Sequence, residues 1–176
     1  MENPMKYFSA VAVLTVLVLF LMLAGFTSPQ QKSASKLPNG FYSILVDTTS
    51  RLEAKIDGIP NTVLVYDGRY TDSSDIASPR YVAVDTSFYV PLVLEGSPVA
   101  KKDGNGRTLL GVSLSQRYVK QLEEFTKAHF GGRVAVVLDG EIITMHKIRS
   151  VISGGQIQIT RCYDNACEVL LSKLVK

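Results

Sequence analysis

The sequence predicts an α+β domain: an antiparallel sheet with two helices packed on one face. Two observations carry that prediction. β-branched and aromatic runs separated by turn residues fill the chain from Gly40 to Leu114, the signature of short strands. From Ser115 onward the apolar period lengthens to that of a helix, returns to that of strands, and lengthens again at the C-terminus. Strand, helix, hairpin, strand, helix in this order builds a sheet with its helices on one side. Composition agrees. With 176 residues, 46% hydrophobic and 20% charged, the chain has too much apolar content to be disordered. A balance of 19 basic to 16 acidic residues, net +3, excludes the strong basic excess of a nucleic-acid binder.

The first strands are read in FYSILV (Phe41–Val46), TVLVY (Thr62–Tyr66), RYVAV (Arg80–Val84) and FYVPLVL (Phe88–Leu94). Pro91 marks the last as an edge strand or the site of a bulge, because proline has no N–H to give to a ladder. KKDGNGR (Lys101–Arg107) is a turn cluster, and TLLGVSL follows it as another strand. Ser115 is placed to cap a helix with Tyr118, Val119, Leu122, Phe125 and Ala128 on one face and Lys120, Glu123, Glu124 and Lys127 on the other. Gly131-Gly132 ends it. RVAVVL (Arg133–Leu138) and EIITMHKI are joined by Asp139-Gly140, the pair expected where both turn residues take positive φ. A Gly154-Gly155 break precedes the alternating QIQIT. Asp164 or Asn165 then caps a last helix that turns Ala166, Val169, Leu170, Leu171 and Leu174 to the core.

Ahead of this domain, Tyr7–Phe26 runs without a charge or a proline, with Phe20 inside it. About 20 such residues in a helix cross a bilayer's hydrocarbon core, and the apolar region of a cleavable signal is usually shorter. The segment is read as an uncleaved anchor, with a removed signal as the alternative. Thr27–Asn39 is rich in serine, glutamine, lysine and proline and reads as a flexible tether. An anchor feeding directly into a folded domain most often exports that domain, which in a bacterium means an inner-membrane anchor with the domain in the periplasm. The organisation expected is therefore anchor 1–26, tether 27–39, a β-rich part 40–87 and an α+β module 88–176.

Cys162 and Cys167 are the two cysteines of the chain. An oxidising compartment permits them to pair as a local staple, and burial as small apolar residues is the other reading. His129 and His146 lack the short paired spacing of zinc motifs, so no metal is expected. No cofactor is expected either, since DGNG at Asp103–Gly106 leads into no helix and no GxxxxGK. The serines lack a GxSxG elbow, and Glu123 and Glu124 are helix neighbours that point apart. These absences favour a non-enzymatic protein.

The stretch VSLSQRYVKQLEEFTKAHFGGRVAVVLDGEIITMHKIRSVISGGQIQITRCYDNACEVLLSKL resembles the first periplasmic domain of SecD, a subunit of the bacterial preprotein translocase. The helix end EFTKAHFGGR, the strand and turn VAVVLDGEII, the segment IRSVISGGQIQIT and the closing apolar helix carry the resemblance, and FYVPLVLEGSPV extends it upstream to Phe88. The family pattern often has a small residue and a proline where this chain reads Thr144-Met145-His146-Lys147.

The resemblance implies a role in protein export, with the Sec translocon or an unfolded polypeptide as partner. SecD-type proteins couple a proton gradient through charged transmembrane residues. The single apolar run here holds no charge, so this chain is not expected to be that motor alone. Three functions follow: an export accessory that binds translocon components or clients, a docking subunit of an unrelated envelope complex, and an enzyme whose site no motif reveals. An exposed strand edge could take up an extended peptide. The exposed candidates for partner contact are the hairpin tip with Asp139 and Glu141, and His146, Lys147 and Arg149. Gly131, Gly132, Gly140, Gly154 and Gly155 are expected to serve structure, at turns.

Overall fold

The computed structural model describes residues 36–68, 79–104, 106, 108–162 and 166–175, without the side chains of residues 160–169. The expected anchor with Tyr7, Phe20 and Phe26, the helix cap at Asp164 or Asn165, and the pairing of Cys162 with Cys167 lie outside what is described. Among the described residues no helix is long and apolar enough to cross a membrane.

Among the described residues, eight strands and two helices follow one another: β1 Gly40–Thr48, β2 Asn61–Tyr66, β3 Arg80–Pro91, β4 Val99–Lys102, β5 Thr108–Ser113, α1 Gln116–Ala128, β6 Arg133–Leu138, β7 Glu141–Lys147, β8 Gln156–Cys162 and α2 Ala166–Leu174. All strand pairs are antiparallel. The strands form two sheets where one was expected: β2-β3-β1-β6-β7, and a smaller β4-β5-β8. The division arises after β7, where Ile148–Gly155 carries the chain away from β6, and β8 pairs back onto β5. α1 packs against β3, and α2 against β5 and β8.

Two further expectations change. Arg80–Val84 and Phe88–Pro91 fall in one strand, with a local side-chain turn inside it in which Asp85 Oδ1 accepts from the Ser87 N–H at 2.8 Å. Pro91 ends that strand. β2 pairs only with Arg80–Asp85, so the Pro91 half of β3 has a strand neighbour on the β1 side alone, where a missing N–H is tolerated. Ser115 occupies the N-cap of α1 but makes no side-chain capping bond; its backbone N–H bonds the Val93 carbonyl instead, at 2.8 Å.

The large sheet has cores on both faces, as the two-residue period of a strand dictates. Tyr42, Val82, Val84, Ala135, Val137 and Ile142 fill one. Phe41, Val90, Val136, Leu138 and Ile143 face the other way and join Leu122 and Phe125 of α1, Leu110, Val112 and Ile159 of the small sheet, and Leu170 of α2. Tyr42 stacks on Tyr89 with ring centroids 4.8 Å apart, and its hydroxyl donates to the Pro38 carbonyl at 2.8 Å. Burial, then the neighbouring Tyr89 phenol, raises the Tyr42 hydroxyl above the ordinary tyrosine range, so it stays a neutral donor.

The β6–β7 hairpin turns in two residues, with φ of 52° at Asp139 and 77° at Gly140. Gly131 and Gly155 also have positive φ, whereas Gly132 and Gly154 do not. At Gly155, φ is 69° and an added Cβ would lie 2.7 Å from Val119 Cγ2. At Gly154 nothing lies within 4 Å of such an atom. Gly155→Ala should therefore lose about 2 kcal/mol from backbone strain and the clash together, while Gly154→Ala should be close to neutral. Thermal melts of the two variants side by side check this, and equal losses would contradict it.

Candidate functional site

A cleft of about 810 Å³ opens beside β7 and β8. Consecutive residues Thr144–Ile148 line one wall and consecutive residues Ile157–Ile159 another, so each of these strands presents an edge to the opening. Among the described strands β7 pairs only with β6, and β8 only with β5. The floor is apolar, built from Phe41 of β1, Val134 and Val136 of β6, and Leu122 and Phe125 of α1. Why these elements meet is visible in their sequences. RVAVVL turns alternate residues to each core, and the apolar face of α1 covers the side that carries Val136.

Two polar side chains, Thr126 and His146, help to fix the rim. Thr126 is buried on α1. Its hydroxyl donates to the Leu122 carbonyl at 2.8 Å and accepts the Ile152 N–H at 3.0 Å, pinning the Ile148–Gly155 connection to the helix. Ile148 is held in turn by Gly131 and Gly132, through N–H···O contacts of 3.0 and 2.9 Å. Across the opening, His146 Nε2 lies 2.6 Å from the Ile159 carbonyl and 3.1 Å from Thr144 Oγ1. A carbonyl only accepts, so Nε2 carries a proton in this contact. The register of β8 on β5 shifts at Leu110/Gly111, with Leu110 opposite Thr160 and Gly111 opposite Gln158. Ile159 is the extra residue of that bulge, and the histidine supplies a partner for its carbonyl.

His146, Lys147 and Arg149, expected as partner contacts, are brought together on this cleft. Asp139 and Glu141 stand at the other end of β7. Lys173 of α2 reaches both, at 3.2 Å from Asp139 Oδ2 and 3.6 Å from Glu141 Oε2, so the hairpin tip is tied to the last helix. His129 stands at the C-terminal end of α1. Its ring packs 4.7 Å from the Phe125 ring and 6.1 Å from Phe88, and Nε2 is buried without a hydrogen-bond partner. It serves as packing surface at the end of the helix. Among the described residues no three of His, Cys, Asp and Glu gather as metal ligands would.

Sequence reasoning missed Thr126, which sits beside Phe125 on a face read from its apolar members alone. It also missed Asp47, whose buried carboxylate on β1 pairs with Arg80 of β3 and Arg133 of β6. Burial alone would raise the Asp47 carboxyl, but hydrogen bonds and charge from the two guanidiniums outweigh it and hold it below the usual range. Arg133 lies directly opposite Lys147 in the β6–β7 ladder, so the clamp stands beside the basic end of the cleft.

Residues 93–169, which include β4 to β8, α1 and the start of α2, match the protein-family model described as SecDF, P1 head subdomain. This segment is similar to a SecDF P1 head subdomain. The Thermus thermophilus protein translocase subunit SecDF is 36% identical to the chain over 73 residues, 39% of this chain and 10% of that protein. The Sebaldella termitidis protein translocase subunit SecD is 28% identical over 92 residues, 50% of this chain and 23% of that one. The chain thus corresponds to less than a quarter of either relative's length. A solved structure of SecDF, described as a membrane component that enhances protein export, aligns with a TM-score of 0.43 at 21% identity, covering 86% of this chain and 69% of its own. SecDF in a super-membrane-facing form aligns at 0.41 and 17%, covering 97% and 33%. The matched segment supplies α1, β6, β7 and β8 to the cleft, and β1 adds Phe41 from outside it.

Proposed function

We propose that this chain serves protein export as a non-catalytic binding module, taking an extended polypeptide, either a client or a translocon segment, at the cleft. The observation that carries this reading is the P1 head match over the elements that build the cleft. Strand edges that have no ladder partner among the described residues support it, because an extended chain satisfies such an edge with its own backbone groups. The apolar run Tyr7–Phe26 would anchor the module in the inner membrane, with the domain in the periplasm. Translocon subunits and secreted chains are the partners this reading names.

Photo-crosslinking in intact cells tests it. A crosslinking residue in place of His146 is expected to form adducts with translocon subunits or nascent secreted chains. The same residue in place of Lys101, exposed on β4 away from the cleft, should give few. Adducts confined to one unrelated membrane complex would overturn the export reading and leave a docking subunit.

A further inference from the structure

We infer that the cleft selects its polypeptide by charge, favouring extended segments in which apolar side chains alternate with carboxylates. The inference rests on the reading that the cleft takes a polypeptide, and adds which kind. Its basis is the lining. Lys147 and Arg149 stand on the rim with the His146 ring, the floor is apolar, and among the described residues no aspartate or glutamate lines the cleft. Both cations are exposed, and among the described residues neither is ion-paired, whereas their neighbour Arg133 is committed to Asp47. Charges of one sign beside apolar walls focus a field that water screens less than on an open surface. A segment with carboxylates meets attraction there, and one with lysines meets repulsion at the same spacing.

The strand edges decide between a polypeptide and an anionic lipid. Apolar floor and basic rim suit an acyl chain with a phosphate headgroup equally well. A row of backbone N–H and C=O groups along β7 and β8 is matched in register by another extended backbone, which an acyl chain lacks. Across the opening, the His146 bond to Ile159 shows that the β8 edge already accepts a donor from this side.

The test uses the full chain in mild detergent and fluorescein-labelled peptides of alternating valine and threonine carrying Glu, Gln or Lys at the same positions. Binding read by anisotropy should be tightest for the Glu peptide and weakest for the Lys peptide, about tenfold apart at low salt and converging as salt rises. The double variant Lys147→Glu/Arg149→Glu should reverse that order. Lys101→Glu/Lys102→Glu, which makes the same change in net charge on β4, should leave it intact. Equal binding of the three peptides would overturn the charge selection while leaving the polypeptide reading in place. An order unchanged in the cleft variant would do the same. No binding of any peptide would remove both. Vesicles of phosphatidylglycerol that bind and displace the Glu peptide, where phosphatidylcholine vesicles do not, would assign the cleft to a lipid headgroup and overturn the inference.

Discussion

Replacing Phe125 with alanine should cost the fold about 3–5 kcal/mol, the loss typical of a fully buried phenylalanine. Phe125 is 1% exposed. Its ring meets Phe88 edge-on at 5.6 Å and His129 at 4.7 Å, and it also forms part of the cleft floor. The side chain therefore seats α1 on the large sheet and closes the bottom of the site. Urea denaturation followed by near-ultraviolet circular dichroism would show the midpoint falling with an unchanged slope. A loss below about 1 kcal/mol would mean that the surrounding core collapses into the space, which the variability of such sites makes the informative alternative.

The second large effect is expected at Asp47. Its side chain is 6% exposed, while those of Arg80 and Arg133 are 39% and 45% exposed. Breaking a fully buried pair costs about 3–5 kcal/mol. Solvent at the two guanidiniums screens part of that, so Asp47→Asn should cost about 2 kcal/mol. The pH dependence has a definite sign. The folded-state pKa is depressed, so the stabilisation is complete above the ordinary aspartate value of about 3.9 and is lost as pH falls through the lower folded value. Melting temperatures of the unaltered chain should drop below about pH 4, and part of that drop should be missing in the Asn variant. Parallel profiles would show that the clamp contributes nothing through its charge.

These two residues illustrate what the sequence reveals and what it hides. Phe125 was legible, because it falls on the apolar stripe of a helix whose opposite face is charged, and local periodicity is sufficient to place it. The Asp139-Gly140 turn was legible for a similar reason, since its chemistry is contained in the two residues that make it. Asp47 follows an apolar strand and reads as its polar exit. Its arginine partners lie 33 and 86 positions away, beyond any local pattern. The division into two sheets was hidden too. Strand alternation says which face a residue takes but not which neighbour its backbone finds, and β8 returns to β5 past the hairpin that precedes it. At the cleft, the basic run was visible as charge, and its apolar floor was visible as core. That the two share one opening follows from tertiary packing alone.

The position of β1 bears on the order in which the molecule can assemble. β1 is made before the other described strands, yet it lies between β3 and β6, and Gly40–Ser43 pairs with Val134–Val137. During synthesis, β1, β2 and β3 can pair among themselves once residue 91 is available. One side of β1 then stays open until β4, β5 and α1 have been made. Such long-range closure is slow, because the intervening loop must lose its freedom before the contact is made. β6 and β7 form a local hairpin, so they can dock as a preformed pair. The last strand pairing of the large sheet therefore joins the beginning of the domain to a late hairpin, and the cleft, which needs Phe41 from β1 beside β6 and β7, comes into existence only with that closure.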